Sequence, residues 1–270
     1  MSGTNRRRLG WRNTLCLPVR AMRGLMENYR GFTKRILQNT SGQSSMLDDT
    51  HTKKEYADLF NMTVRDWLTL HHEKTRFNTM HWMGVTMIKN PLDAWILGEI
   101  LYEVKPERII EIGSLTGGTT LYLANLLDLI GSGLVISIDL DRERFVPKHK
   151  RITAITGDSH AQSTFEKTAD LCEGKTVLVI HDADHHKKAV LEDLRAYSKL
   201  VTVGSYFIVE DGILDLFAST SLIGRSGAVK EGPLSAIEEF LLDNPHFQAD
   251  RRWERYIITY NPRGYLRRIQ

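Results

Sequence analysis

The stretch VLVIHDADHH, residues 177–186, is a run of apolar β-formers that ends abruptly in His181, Asp182, Asp184, His185 and His186. A second such run, SYFIVED (205–211), also finishes in acids, Glu210 and Asp211. If the two runs are adjacent strands, Asp182, Glu210 and Asp211 fall into one small volume. Crowded carboxylates repel and raise one another's pKa unless a cation neutralises them. Hard oxygen ligands without a thiolate favour Mg²⁺, with Mn²⁺ or Ca²⁺ as substitutes. His185 then stands at the mouth of the site as general base, since a neutral imidazole beside a cation is matched to take a hydroxyl proton near pH 7. Asp182 acts with it as metal ligand. Zinc held by His181, His185 and His186 is the rival reading, although residues 181 and 185 straddle a strand end and a loop rather than one helical face. Helix caps and solvated turn residues are a third reading, which accounts for Asp184 or His186 more easily than for the pair Glu210-Asp211. Asp184 is read as an orienting partner of His185 or a cap, and His181 and His186 as structural residues or as residues just outside the metal's ligands.

A second set lies upstream, in EIGSLTGGTT (111–120), which follows an apolar run and opens a helical pattern. Gly113 permits a tight turn, Gly117 and Gly118 let backbone approach a ligand, and Ser114, Thr116 and Thr119 are candidate helix caps. Leu115 occupies the middle glycine of the dinucleotide pattern G-x-G-x-x-G, which argues against a pyrophosphate there. Glu111 would repel a pyrophosphate and suits a cationic or hydroxyl-bearing ligand. The next strand run ends in Asp139, suited to accept from ribose hydroxyls. The run after it leads into Gly157, Asp158 and Ser159, with Asp158 suited to accept from an adenine amino group. In this order at three successive strand ends, Glu111, Gly113, Ser114, Gly117, Gly118, Thr119, Asp139, Asp158 and Ser159 resemble the S-adenosylmethionine site of class I methyltransferases.

The elements that must position these residues alternate. PLDAWILGEILYEVKP reads as an amphipathic helix with Pro91 in its first turn and Pro106 at its stop. Strand runs at 108–113, 134–139, 152–156, 176–182 and 205–211 are interleaved with helical patterns in TTLYLANLLDLI, QSTFEKTADLCE and KKAVLEDLRAYSKL. Such alternation predicts a doubly wound, mostly parallel α/β sheet with ligands at the carboxyl ends of its strands. FQADRRWERYIITYNP offers two strand-like runs for an antiparallel C-terminal edge, and 216–241 reads as a mobile loop over an acceptor pocket, with Arg225 and Lys230 available to a substrate.

Residues 1–80 read as a basic arm, a polar linker (37–54) and a helical extension, and 81–270 as the catalytic domain. The arm carries Arg6, Arg7, Arg8, Arg12, Arg20, Arg23, Arg30, Lys34 and Arg35 against Glu27, and is read as a solvated tail rather than a lipid or nucleic-acid contact. A net charge of +3 over 270 residues gives no argument for nucleic acid. No apolar run reaches the ~18 residues of a membrane span, and none resembles a signal peptide. Cys16 and Cys172 are far apart and form no metal or disulfide spacing, so the expected compartment is the cytoplasm.

From about Trp82 to Arg267 the chain resembles the cephalosporin-hydroxylase-like and rhamnosyl O-methyltransferase family, through HWMGVTMIKNPLDAWILGEILYEVKPERIIEIGSLTGGTT, VISIDLD, ITGDS, IHDADHHKKAVLEDL, YFIVEDG, GPLSAIEEFL and PRGYLRR. The resemblance implies a class I, Rossmann-like, seven-stranded methyltransferase fold, S-adenosylmethionine, and Mg²⁺ on the positions of Asp182, Glu210 and Asp211. It further implies His185 as base, a sugar or glycosylated polyketide hydroxyl as small-molecule acceptor, and a homo-oligomer. Two other classes compete: an NAD(P)-dependent oxidoreductase, opposed by Leu115 and the acidic triad, and a non-catalytic adenosyl-binding module, which leaves that triad without a purpose.

Overall fold

The computed structural model describes residues 57–58, 60–72, 80–217 and 231–270. The chain divides into two compact units, Met1–Met62 and Thr63–Gln270, and the fold described here is that of the second. The basic arm, the polar linker, Arg225 and Lys230 lie outside the described residues.

The second unit begins with helix α1 (Val64–Leu70), started by a capping box in which the Thr63 side chain and Asp66 satisfy each other's backbone N–H groups. Leu68 packs with Ile213, Phe217 and Tyr260, and Trp67 stacks on His71. A short hairpin of β1 (His81–Trp82) and β2 (Val85–Thr86) leads to helix α2 (Pro91–Val104). The reading of that helix holds: Pro91 occupies its first turn, the Asn90 side chain accepts from the Leu92 N–H, and Lys105 closes it in a left-handed conformation just before Pro106.

The main sheet alternates with helices as the pattern requires. β3 (Arg108–Ile112) is followed by α3 (Gly118–Ile130), β4 (Leu134–Asp139) by β5 (Ile152–Thr156), and α4 (Gln162–Cys172) by β6 (Val177–His181). Then come α5 (Lys187–Tyr197), β7 (Tyr206–Val209), α6 (Ile213–Phe217), α7 (Pro233–Asp243), β8 (Phe247–Ala249) and β9 (Tyr265–Arg268). The seven strands lie in the order β5-β4-β3-β6-β7-β9-β8; β5 to β7 are parallel, and β9 is antiparallel to both β7 and β8. Buried strands alternate between two cores. Ile110, Ile112, Val177, Val179, Phe207 and Val209 pack against α5 and α7 on one face. Ile109, Leu178, Ile180, Tyr206 and Ile208 pack against α2 and α3 on the other.

Two expectations are corrected. The second edge strand is Tyr265–Arg268 rather than the YIITY run, which instead crosses back to α2: the Tyr260 N–H donates to Asp93 at 2.8 Å, and Ile257 has φ 65°. Nor is 216–241 a loop throughout, because residues from Pro233 form α7. Asp215 starts that helix, accepting from the Gly232, Leu234 and Ser235 N–H groups and from the Ser235 hydroxyl. Among the described residues, no helix is long and apolar enough to cross a membrane.

The strands end at one level because the register is in step: Ile138 pairs with Ile112, Ile112 with His181, and His181 with Val209. That leaves Gly113 against the next strand's exit. A Cβ there would sit 2.1 Å from the Asp182 carbonyl oxygen, and φ is +86°. Gly113→Ala should therefore lower unfolding free energy by about 3 kcal/mol or more, seen as a reduced urea midpoint at unchanged m-value. An unaltered midpoint would contradict this packing.

Candidate active site

The strand order reverses between β3 and β6, since the chain runs outward through β4 and β5 and returns to β6 and β7. Ligand crevices of doubly wound sheets open at such a point. One group of expected site residues lies on each side of it.

On the first side, Glu111 is fully buried on β3, on the face turned to α3. One of its oxygens accepts from the Thr120 hydroxyl, and the other, Oε1, has no hydrogen-bond partner. Burial pushes its carboxyl up to about 7, against the opposing effects of Thr120 and Lys89. Asp139, at the end of β4, grips the glycine loop: Oδ2 accepts from the Ser114 and Leu115 N–H groups, both at 2.8 Å, and from the Ser114 hydroxyl at 3.2 Å. Burial pushes Asp139 up, but these donors and the Asp141 N–H outweigh it and hold the carboxyl below the usual carboxylate range. Leu115 takes φ 45° and is half-exposed. Gly117 takes φ +83° beneath Phe145 and Pro147, where a Cβ would approach to 2.5 Å.

The expected caps are corrected. Gly117 is the N-cap of α3, without a side-chain bond. Thr116 donates instead to the Thr86 carbonyl at 2.6 Å, and Ser114 receives Arg142 at 2.7 Å. Gly118 opens α3, and Thr119 is buried in its first turn. Asp158 turns back to accept from the His160 N–H at 2.9 Å, while Ser159 donates to Asp193 at 3.1 Å.

On the second side, period-two alternation sorts the acids and histidines. His181 is buried on the α5 face, with Nε2 3.2 Å from Asp193, so it is held away from His185. His186 is exposed and contacts Asp184, whose Oδ1 also accepts the His186 N–H. Asp184 thus braces His186, not His185. With the three imidazoles separated in this way, a zinc site of His181, His185 and His186 does not form. Asp182, His185 and Asp211 do converge, each offering a ligand atom within 4.8 Å of the others. His185 Nε2 is 3.4 Å from Asp211 Oδ2, and its Nδ1 has no hydrogen-bond partner. Asp211 holds φ 57°, a costly conformation for a non-glycine residue, and its N–H donates to Asn261 at 3.2 Å.

Glu210 lies one step aside from that trio. Its Oε2 accepts from Lys89 Nζ, and its Oε1 is buried without a partner. Lys89 also reaches Asp182 Oδ2 at 3.4 Å. Burial alone would lower the Lys89 pKa, yet Glu210, Asp182 and Asp211 hold it above the ordinary lysine value, so the proton stays on the ammonium. The sequence reading missed Lys89. Its only signal was a lysine in an otherwise apolar approach, GVTMIKNP, directly before a helix start. The donor set suits a hard divalent cation: the Asp182 and Asp211 carboxylates converge with the His185 imidazole, the neighbouring Glu210 keeps one buried oxygen without a partner, and no cysteine among the described residues joins the group.

The Rhamnosyl O-methyltransferase/CmcI family profile matches residues 74–269. Rhamnosyl O-methyltransferase from Mycobacterium leprae is 34% identical over 200 residues, covering 70% of this chain and 83% of that protein. The Mycobacterium tuberculosis protein of the same name is 28% identical over 196 residues, 68% of this chain and 76% of that one. Among solved structures, CmcI with Mg and SAM is 22% identical at a TM-score of 0.58, over 85% of this chain and 89% of that one, which shows a common fold. The chain belongs to the Rhamnosyl O-methyltransferase/CmcI family, a family of O-methyltransferases.

Proposed function

We propose that this O-methyltransferase moves a methyl group from S-adenosylmethionine to a hydroxyl of a sugar or glycosylated natural product, with Mg²⁺ at the acidic cluster. The observation that carries the reading is the convergence of Asp182, His185 and Asp211 within 4.8 Å, directly across the strand-order reversal from the Asp139-gripped glycine loop. Rhamnose as acceptor is suggested by the name of the Mycobacterium leprae relative, and Mg²⁺ with SAM by the CmcI complex. The bound groups would supply an electrophilic sulfonium methyl and a positive charge that favours loss of the acceptor's proton.

The chain's own residues do the rest. Asp139 would accept from the ribose hydroxyls while its Oδ2 keeps the glycine loop in shape through the Ser114 and Leu115 N–H groups, and Asp158 and Ser159 would border the adenine. Glu111 faces the cationic end of the cofactor. Asp182, Glu210 and Asp211 would hold the metal, and Lys89 leaves the Glu210 Oε1 without a partner. His185 takes the acceptor proton on an imidazole nitrogen, and the hydroxyl oxygen attacks in line, so positioning supplies much of the rate.

Release of S-adenosylhomocysteine from rhamnosylated acceptors should need Mg²⁺ and stop with EDTA; turnover that persists in EDTA would sink the metal assignment. His185→Ala should lower kcat by about 10² to 10⁴ while calorimetric affinity for S-adenosylhomocysteine stays within about twofold. A large loss of that affinity would contradict its role as base.

Glu111 generates a pH signature. Burial pushes its carboxyl up to about 7, and a cationic ligand favours its ionised form, so S-adenosylmethionine, which carries the sulfonium charge, should bind several-fold more tightly at pH 8 than at pH 6. Glu111→Gln should flatten that dependence in calorimetry. A slope that survives the substitution belongs to another group.

A further inference from the structure

Lys89 stands among the acids of the site, and the transfer reaction described above gives it no task. Its side chain is 2% exposed, and its Nζ meets one oxygen each of Glu210 and Asp182. The residue is delivered from a rigid support. Its N–H donates to the Met87 carbonyl at 3.1 Å, the next residue caps α2, and Asp93 in the first turn of α2 accepts from Thr259, the Tyr260 N–H and the Tyr265 hydroxyl. The ammonium leaves the buried Oε1 of Glu210 unpartnered, and it leaves Asp182 close to Asp211 and His185. It therefore neutralises part of the cluster without filling all of its ligand positions.

We propose that Lys89 is a built-in counter-cation and a positioning residue of the metal site. It holds Asp182 and Glu210 together before any divalent ion arrives, so the ion is an exchangeable guest rather than a structural part of the fold. Three carboxylates and one ammonium present the ion with less negative charge than three carboxylates alone, which weakens its binding. This rests on the assignment of the acidic cluster as a divalent-cation site made above.

The test is Lys89→Met, followed by thermal unfolding in EDTA and in millimolar Mg²⁺, with Mg²⁺ affinity read by calorimetry. The wild-type Tm should barely differ between the two conditions. The variant should lose several degrees in EDTA, recover most of them in Mg²⁺, and bind Mg²⁺ about tenfold more tightly than wild type. An unchanged Tm in EDTA, a loss that Mg²⁺ fails to restore, or an affinity no tighter than wild type would each overturn the role of Lys89. If the single variant does not fold in EDTA, Lys89→Met with Glu210→Gln removes the stranded carboxylate as well. That double variant should fold in EDTA and melt above the single one, and a double variant no better than the single overturns the proposal. Mg²⁺ binding to neither protein would instead overturn the metal assignment itself, and this inference with it.

Discussion

Like-charge repulsion at the carboxyl edge of the sheet is the constraint around which this structure is arranged. Parallel strands in step must end side by side, and β6 and β7 end in Asp182 and in Glu210-Asp211. Burying such a group costs several kcal/mol per ion unless it is partnered, and breaking a buried pair costs about 3–5 kcal/mol. The Lys89 ammonium supplies the partner, and much of the surrounding structure serves to keep it in place. Asn90 caps α2, Asp93 ties that helix to the Thr259–Tyr265 segment, and Asn261 from the same segment holds the Asp211 backbone. Residues 256–261 cross α2 instead of forming an edge strand, with the Thr259 hydroxyl and the Tyr260 N–H donating to Asp93.

The reversal of strand order then divides the chemistry. On the β3–β4 side, backbone is drawn toward a carboxylate: Asp139 collects N–H groups of the glycine loop and forces Leu115 into a left-handed conformation. On the β6–β7 side, carboxylates are drawn toward a cation and Asp211 takes the strain. Strain of this kind costs on the order of 1–3 kcal/mol per residue and persists only where the surroundings over-determine it. Both strained positions flank the crevice, which is where pre-organisation for a ligand has value. On the second side, Asp215 of α6 caps α7 and the Lys187 N–H donates to the Glu231 carbonyl.

Much of this was legible from residues alone, and the failures share a cause. The β3, β4, β5, β6 and β7 cores and helices α2 to α5 followed from apolar spacing, because each buries a face whose period is local. The match to the Rhamnosyl O-methyltransferase/CmcI family agrees with the motif order read along the chain. The antiparallel edge was foreseen, but one of its strands was misassigned, because YLRR and YIITY look alike to a propensity argument and differ only in what lies beside them. Ser114 and Thr116 looked like caps by composition, yet tertiary partners claimed their side chains first: Asp139 and Arg142 took Ser114, and Thr86 took Thr116.

What the sequence determined by itself is the list of chemical groups at each strand end and the alternation that turns them to one face or the other. His181 and Asp182 are neighbours in the chain, and period two alone sends the first toward Asp193 and the second toward the acids. What only the tertiary structure decided is which groups answer one another across the sheet. Lys89 is 93 residues from Asp182 and 121 from Glu210 along the chain, and no local pattern relates them. A buried charge finds its partner through the packing of α2 on the sheet, a global property, so the cation at the centre of the acidic cluster became visible only in three dimensions.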